Sequence, residues 1–413
     1  MRAGFGMFYG SNYYWEGQGA RGTWPYAIAD TLEGLNAPGS AIVYTEQMYP
    51  TYDTPVPGTP ADAQHTMARY NRTPYSVQWN AGVQRELANN LMLEVEYVGD
   101  GGRHMPLFTN ENDPAPGPGT VGQPGHFRPY QYADPVLGTY PTSPGFGADS
   151  EMDNVGTSAY HGLQVKLEKR FSSGLQFLAS YAWGHYIDEG GSGFSQSSAP
   201  QIDNNFAADR ADGTFDMRHI FTANWVYDLP AGHGRRFLNN SNPIVNTILG
   251  GWEFTGIMHA NTGPPLGLGL SVDQANIGQR SLEERPNFIP GQPQRTTPGA
   301  GVDQTTGYLN PLYAATAPGA PAVPALYTYG TLGRNTARNL GMQNFDLGLY
   351  KNFPIHENKQ SVQFRAEFFN AFNHVNLGGI DGTIEDTTFG SIGSTEPTGS
   401  DNRQIQFALK LYF

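Results

Sequence analysis

Three absences narrow what this chain can be before any motif is considered. The 413 residues include no cysteine, which excludes disulfide frameworks, thiolate metal sites and thiol catalysis. They include no uninterrupted apolar run of about 18 residues, so the sequence predicts no transmembrane helix. Basic residues are few, at 24 Lys and Arg against 37 Asp and Glu. The net charge of −13 argues against nucleic acid as a partner, because phosphates require a basic face.

The amino terminus also lacks the continuous apolar segment of a signal peptide. Residues 1–9 show instead the pattern of a strand that is already under way. If the protein is exported, this start predicts that the chain is the C-terminal piece of a longer protein.

Glycine, proline and aromatic residues are abundant where apolar and charged residues are scarce. The chain has 52 Gly and 31 Pro, and 13% of it is aromatic. Many short strands joined by Gly- and Pro-rich loops have such a composition. We predict an all-β fold with ten strands, near residues 2–9, 75–86, 91–98, 160–171, 175–186, 214–227, 251–262, 344–353, 360–372 and 402–413.

Several of these strands alternate strictly between apolar and polar residues. One face would carry Val77, Trp79, Leu163, Val165, Phe364 and Phe368. A barrel with a lipid-facing outside and a wet lumen needs this pattern, and so does a half-exposed soluble sheet. In a barrel, the polar set would line the lumen and provide a ligand path or simply hydrate the wall. The candidates for that path are Gln78, Asn80, Lys166, Glu168, Arg365 and Glu367.

Connection lengths separate these two architectures better than the alternation does. Short turns at 87–90, 172–174 and 354–359 alternate along the chain with five long connections. The 228–250 link belongs to the short class by its place in the order, although it is longer than the other three. In an antiparallel barrel, this order puts every long connection at one rim and every short turn at the other, as in outer-membrane barrels. The long connections hold 27 acidic and 11 basic residues and so contain all of the negative excess. They are residues 10–74, 99–158, 187–213, 263–342 and 373–401.

The last nine residues form the clearest strand pattern in the chain. Ile405, Phe407, Leu409, Leu411 and Phe413 alternate with polar or small residues, and Tyr412 stands beside the terminal aromatic. An apolar terminal strand invites aggregation in water, but it suits a strand that closes a barrel in lipid. A buried last strand in a soluble sandwich is the alternative explanation.

Four segments resemble one family in their sequence and order. They are Tyr75–Leu87, Tyr160–Phe171 with the following Gly174-Leu175, Asp216–His219 with Leu229-Pro230-Ala231-Gly232, and Phe364–His374. Together they resemble the TonB-dependent outer-membrane receptors of the Oar-like class, which are often preceded by a carboxypeptidase-regulatory-like domain. The resemblance covers nearly the whole chain.

The resemblance implies a location, a fold and partners. It implies the outer membrane of a Gram-negative bacterium, one β-barrel domain over residues 1–413, and about 22 strands in the complete barrel. It implies energised uptake of an unidentified small or oligomeric ligand, with the TonB system contacted through an absent N-terminal plug. It also implies that the barrel-assembly machinery reads a terminal signal formed by Phe407, Leu409, Leu411, Tyr412 and Phe413.

No pattern in the sequence indicates catalysis, a cofactor or a metal ion. His161, His185, His219 and His233 are scattered along the chain without ligand spacing. The acidic segments Asp209–Gly213 and Asp381–Asp386 do not match a calcium loop, and solvated turns explain them better. Tyr13, Tyr14, Trp15 and Trp24 are able to stack on sugars or to pack their own loop. A soluble carbohydrate-binding or structural sandwich is the main alternative function, and a secreted hydrolase is a weaker one.

Overall fold

The fold is described from a computed structural model. It describes residues 1–10, 64–68, 70–110, 112–121, 126, 129, 149–190, 200–202, 205–278, 284–296, 307–315, 319–356, 360–393 and 402–413. The strands are β1 (Arg2–Tyr9), β2 (Gln64–Met67), β3 (Tyr75–Ala88), β4 (Leu91–Asn110), β5 (Asp149–Ser172), β6 (Leu175–Asp188), β7 (Ala211–Asp212), β8 (His219–Asp228), β9 (Trp252–Asn261), β10 (Pro265–Leu266), β11 (Ala337–Arg338), β12 (Met342–His356), β13 (Gln360–Phe369) and β14 (Gln404–Tyr412).

Ten of these strands form one antiparallel sheet in which each strand pairs with the next along the chain. The order is β1-β3-β4-β5-β6-β8-β9-β12-β13-β14. The predicted all-β antiparallel fold with about ten strands is confirmed. Two short strands are attached beside this path, with β2 parallel to β5 and β7 antiparallel to β6. In the part of the chain that the structure describes, β1 and β14 are not paired with each other, so the sheet is open.

The connections leave the sheet as the sequence predicts. Because neighbouring strands are antiparallel, alternate connections lie at the same end. The long connections 10–74, 111–148, 189–218, 262–341 and 370–403 share one end, which we call the long-loop end. The opposite end, the short-turn end, has 89–90, 173–174, 229–251 and 357–359.

Two predicted strand boundaries differ most from the structure. The sequence pattern ended a strand at residue 98 and began the next at 160, whereas β4 continues to Asn110 and β5 begins at Asp149. These strands are 20 and 24 residues long, about twice what a tilted transmembrane strand needs. The β4–β5 hairpin therefore extends well past its neighbours at the long-loop end.

The pairing register divides the sheet into an apolar and a polar face. Residues opposite each other on neighbouring strands share a face. From Phe364 this rule leads to Leu409 on β14, to Lys351 on β12 and on to Trp252 on β9. Followed across the whole sheet, it puts the predicted apolar set on one face, which we call the apolar face: Val77, Trp79, Leu163, Val165, Phe364, Phe368, Phe407 and Leu409.

Bulky aromatic rings on the apolar face lie over glycines of neighbouring strands. Gly99 lies opposite Trp79, and a Cβ atom at Gly99 would come within 2.3 Å of the indole. Gly256 has the same relation to Trp225, where the distance would be 2.1 Å. These glycines provide the space in which the two indoles pack flat against the sheet.

The strands are staggered as well as twisted. Paired residues define a line perpendicular to the strands. The line begins at Phe5, in the middle of β1, and ends at His185, close to the long-loop end of β6. Between them it passes through Trp79, Gly99 and His161. Successive strands are thus displaced toward the short-turn end. Such a stagger tilts the strands against the axis of a barrel, and a sheet needs it in order to curl and close.

The largest hydrophobic core of the described chain lies outside the sheet. Two long connections, 262–341 and 370–393, pack together into a unit that we call the cap. Its core is formed by Leu268, Leu270, Tyr308, Leu309, Tyr313, Ala322, Leu332, Ala337, Ile380, Ile384 and Ile392. The small β10–β11 ladder joins Pro265 to Arg338 within the cap.

Helices are few and short in the described residues. Phe206–Asp209 follows β6, and Pro243–Leu249 lies in the longest connection of the short-turn end. The second helix is capped by the Asn242 side chain, which accepts a hydrogen bond from the backbone N–H of Val245 at 2.8 Å. Within the described ranges, neither of these helices approaches the length or apolar character needed to span a membrane.

Candidate functional site

The predicted ligand-path residues all lie on the polar face. Gln78 and Asn80 are on β3, Lys166 and Glu168 are on β5, and Arg365 and Glu367 are on β13. The register puts them opposite the apolar set, as the alternation predicts. It does not bring them into one site, because β6, β8, β9 and β12 separate β5 from β13.

The first polar patch crosses β1, β4, β5 and β6. Arg2 forms ion pairs with Glu94 and with Glu96, the latter at 3.2 Å. Glu94 lies opposite Lys166, whose ammonium is 3.1 Å from the Glu168 carboxylate. A concave pocket of about 320 Å³ opens over this patch. Its lining includes Glu94, Glu96, Gln164, Lys166, Ser180 and Thr222.

Arg2, Glu94 and Glu96 were missed as site residues by the sequence. The alternation of β4 does put both glutamates on the polar face, but it does not show that Arg2 lies beside them. That neighbourhood depends on the β1–β3 and β3–β4 registers in succession. Together they bring Arg2 beside two glutamates that are more than 90 positions away in the sequence. Alternating acidic residues on a barrel strand were therefore the only available signal.

The second polar patch lies on β12, β13 and β14. The Arg365 guanidinium lies 4.8 Å from the centre of the Tyr350 ring and donates a 2.6 Å hydrogen bond to Gln363. The Tyr350 hydroxyl donates to Glu367 at 2.8 Å, and Arg365 and Glu367 are 3.9 Å apart. Arg365 and Glu367 thus lie beside each other on one face, and Tyr350 holds both side chains in place from the neighbouring strand.

A set of ion pairs at the long-loop end fastens the cap to the sheet. Three arginines of the cap bind four aspartates that lie on β6, on β7 or in the connection between β6 and β8. We call this set the Asp–Arg clasp. Its pairs are Arg334 with Asp188, Arg285 with Asp209, and Arg338 with both Asp212 and Asp216.

The partners of Asp212 and Arg338 within the clasp shift the pKa of both residues. Burial alone would raise the pKa of Asp212, but hydrogen bonds from His185 and Arg338, with the nearby charge of Arg218, outweigh burial and lower that pKa. Burial would likewise lower the pKa of Arg338, but hydrogen bonds and charges from Asp216 and Asp212 raise it. Both shifts favour the charged forms of Asp212 and Arg338.

The two acidic segments considered for calcium have protein partners. Asp209 and Asp212 of the first segment belong to the clasp. In the second segment, Asp381 accepts hydrogen bonds from the backbone N–H of Thr383 at 3.0 Å and from the Thr388 hydroxyl at 2.7 Å. Across the described ranges, no three His, Cys, Asp or Glu side chains are grouped closely enough to hold a metal ion.

Three of the four histidines that look scattered in the sequence come together in space, whereas His233 lies in the 229–251 connection at the opposite end of the sheet. His161 lies directly opposite His185, and His219 is opposite Trp183, two residues away from His185. All three are on the apolar face near the long-loop end. Sequence reasoning missed this row because only the register of β5, β6 and β8 aligns it.

The residues of the predicted terminal signal are exposed at one edge of the sheet. On the apolar face of β14, Phe407 and Leu409 are 67% and 73% exposed. Tyr412 is on the polar face, where its hydroxyl donates to Gln363 at 3.1 Å. Phe413, which follows the strand, is 94% exposed. Recognition of this edge by the assembly machinery stays a prediction. The aromatics Tyr13, Tyr14, Trp15 and Trp24 lie outside the described residues.

Comparison with known families decides what kind of sheet this is. The family model for the outer membrane beta barrel domain matches residues 1–406. The chain belongs to this family. As an outer-membrane β-barrel domain, it exposes its apolar face to lipid, and the location predicted from the sequence is confirmed. The resemblance to a receptor barrel is confirmed at the level of this family, whereas the Oar-like class stays a prediction.

Solved structures of other outer-membrane proteins are similar to this barrel domain over most of its length. The outer membrane transporter YddB from Escherichia coli has 10% identity and a TM-score of 0.41, over 85% of this chain and 34% of that one. BauA, the ferric preacinetobactin receptor from Acinetobacter baumannii, has 8% identity and a TM-score of 0.37, over 82% and 30%. The siderophore receptor PirA from Acinetobacter baumannii has 9% identity and a TM-score of 0.37, over 83% of this chain and 32% of that one.

The chain spans about a third of the length of these solved structures. The comparison with curated protein sequences found no match. The family therefore establishes the outer-membrane barrel, while ligand, partners and energy source are matters for proposal.

Proposed function

We propose that this domain forms part of the barrel wall of an energised outer-membrane receptor and that its polar face lines the route of the ligand. The receptor would be of the TonB-dependent, Oar-like class, with a plug contributed by another part of a longer protein. It would act by binding and passage, without catalysis or a cofactor. Its terminal strand would be read by the barrel-assembly machinery.

The first polar patch is the observation that carries this proposal. Arg2, Glu94, Glu96, Lys166 and Glu168 bring both signs of charge onto one face of the sheet, over the strands next to its β1 edge. A wall that only needed hydration would be served by neutral amides and hydroxyls. Paired charges instead supply fixed donors and acceptors, which suit a polar ligand or a plug that moves past them.

The cap supports the same function from the long-loop end. It has its own hydrophobic core and is bound to the sheet by the Asp–Arg clasp, so it presents a fixed surface at the long-loop end. A receptor needs such an ordered outer surface in order to select a ligand before import. The soluble sandwich alternative is not favoured, because it requires the apolar face to be covered by a second sheet.

Import is tested with the full-length receptor in cells. Strains with and without the gene are grown in spent medium, and depletion of its compounds is followed by mass spectrometry, with and without an uncoupler of the proton gradient. We expect a gene-dependent loss of at least one compound that the uncoupler abolishes. Lys166→Ala with Glu168→Ala should slow this loss, whereas Gln406→Ala at the sheet edge is the control. Depletion that persists with the uncoupler would show a passive pore and contradict the proposal.

A further inference from the structure

A groove on the apolar face at the long-loop end is not explained by transport. It has a volume of about 400 Å³ and lies where β8, β9 and β12 meet the cap. Phe221 and Ala260, which oppose each other on β8 and β9, form an apolar floor. The rim is polar and contains His219, Thr262, Gln343 and His374.

The groove lies at the level where the lipid-facing band ends. On β5 the apolar face begins with Lys169, continues through Leu167, Val165 and Leu163, and reaches His161. At about 3.3 Å per residue this segment is about 26 Å long. A tilt of about 40° reduces its height to about 20 Å, near the apolar band of outer-membrane barrels. The histidine row, and with it the groove, is therefore at the outer lipid interface.

The His219 ring is held with one nitrogen available. The Tyr181 hydroxyl hydrogen-bonds Nδ1 at 2.8 Å, and the two rings stack with their centres 6.1 Å apart. The backbone N–H of His219 donates to the Thr262 hydroxyl at 3.1 Å. No described residue occupies its Nε2 atom. The side chain is exposed and lines the groove. When the Tyr181 hydroxyl donates to Nδ1, the proton of the neutral ring is on Nε2, which is then a donor for a ligand.

His374 provides a second observation at the same groove. Its backbone is fixed by Asn370, which accepts from the N–H and donates to the carbonyl, each at 2.8 Å. Its Nδ1 atom is buried and has no hydrogen-bond partner among the described residues. Buried polar atoms nearly always have a partner, so His374, which lines the groove, has unused hydrogen-bonding capacity on its ring.

We propose that this groove binds a phosphate-bearing lipid of the outer leaflet. Its acyl chain would lie on Phe221 and Ala260, and its phosphate oxygens would accept hydrogen bonds from His219, Gln343 and His374. Imidazole and amide donors match the acceptor-only oxygens of a phosphate. Only a lipid satisfies both the apolar floor and the polar rim at the edge of the membrane.

The test uses the full-length protein, purified in a phosphate-free detergent and stripped of lipid. Binding of dihexanoyl phosphatidic acid, dihexanoyl phosphatidylcholine and inorganic phosphate is measured by calorimetry. We expect phosphatidic acid to bind about tenfold more tightly than phosphatidylcholine, the difference expected from losing one charge-assisted hydrogen bond. Inorganic phosphate should bind far more weakly, because it gains nothing from the floor.

Variants assign the binding to the groove. His219→Leu and His374→Leu should each abolish the preference for phosphatidic acid, whereas His219→Gln, which keeps an N–H donor, should retain part of it. His161→Leu is the matched control, because it removes the same kind of tyrosine–histidine pair outside the groove. Circular dichroism melting establishes that each variant is folded.

Three results would overturn the proposal. Equal affinity of the unaltered protein for the two lipids excludes recognition of the phosphate, and this measurement needs no variant. Inorganic phosphate binding as tightly as phosphatidic acid would make the groove a site for a soluble anion. Unchanged lipid preference in a folded variant with both His219→Leu and His374→Leu would locate the lipid elsewhere.

Discussion

The sheet and the cap bury their apolar side chains in opposite ways. In the sheet, Phe407 and Leu409 are among many large apolar side chains exposed on one face. In the cap, Leu270, Tyr313 and Ile384 are completely buried. Apart from Leu107, Met152 and Ala366, every buried apolar residue of the described chain lies in the two connections of the cap.

The difference shows two solvents acting on one chain. The sheet is stabilised by backbone pairing and needs no internal core, because lipid covers its apolar face. The cap lies in water, where only the removal of apolar surface offsets the entropy lost by ordering a long loop. One sequence thus obeys the alternating rule of a membrane strand and the clustering rule of a soluble core.

The largest difference in stability should appear when a leucine is shortened to alanine in each of the two regions. Leu270→Ala in the cap leaves a cavity in a dry core and should cost about 3 kcal/mol of cap stability. Leu409→Ala on the apolar face should cost far less in a micelle, because lipid replaces the lost contacts. Denaturant melting followed by hydrogen exchange separates the two regions. Equal losses would refute the contrast.

The next largest effect should be the loss of stability caused by a charge on the apolar face, compared with the same charge on the polar face. Val165→Arg puts a cation on the apolar face and should cost about 2–4 kcal/mol if the site is near the bilayer midplane. Gln164→Arg, one residue away on the polar face, should be nearly neutral. Refolding into lipid vesicles across a urea series measures both. A similar penalty for the two variants would mean that the faces are assigned wrongly.

Breaking the clasp should separate the cap from the sheet at a smaller cost. Asp216 is 1% exposed and, when Arg338 is removed, keeps Arg218 at 3.3 Å and the backbone N–H of Tyr186 at 2.7 Å. Arg338→Ala should therefore cost about 2 kcal/mol, since a buried carboxylate loses its main partner. The exposed pair of Arg235 and Asp228 is the control, and Arg235→Ala should cost less than about 1 kcal/mol. Limited proteolysis of the cap reports the difference.

The smallest effect should be a pH dependence confined to the cap. Burial and a hydrogen bond with Asp273 raise the pKa of Glu284 from its usual 4.5 to about 8. The folded cap thus binds this proton more tightly than the unfolded chain does. The resulting stabilisation is complete below about pH 4.5 and is lost as the pH rises toward 8.

Melting of the cap at pH 5.5 and pH 8 measures this dependence. The transition should be a few degrees higher at the lower pH, and Glu284→Gln, which keeps a neutral side chain of the same shape, should remove most of the difference. Asp381→Asn, on the outer side of the cap, serves as the control. A transition that rises with pH in the unaltered protein would contradict the assignment.

The sheet was largely predictable from the sequence because local alternation decides a membrane strand. β13 and β14 alternate without interruption, and their faces follow directly. Alternation fails where β4 passes Gly99 and Gly102, so the extension of the β4–β5 hairpin was missed. The extension is held together by the buried side chains of Leu107 and Met152 and by pairing with the added strand β2. Neither contact produces an alternating pattern in the sequence.

The cap and the contacts of the sites could not be predicted in this way. Leu268, Leu270, Ile380 and Ile384 are isolated among glycines and polar residues, with no period to show which way they face. The pairs of the clasp join residues more than 70 positions apart. Such residues come together only when the whole chain has folded, and a single sequence does not show which distant residues will be neighbours.

The strict sequential pairing of the sheet has a consequence for how such proteins diversify. Because every strand of the path pairs with its successor, deletion or duplication of one strand would exchange the two ends for every later connection and put the long connections in the periplasm. Loss or gain of a hairpin leaves each later loop on its own side and each later side chain on its own face. The modular unit of this architecture is therefore two strands, which makes the β4–β5 hairpin, with its long outer extension, a natural place for change.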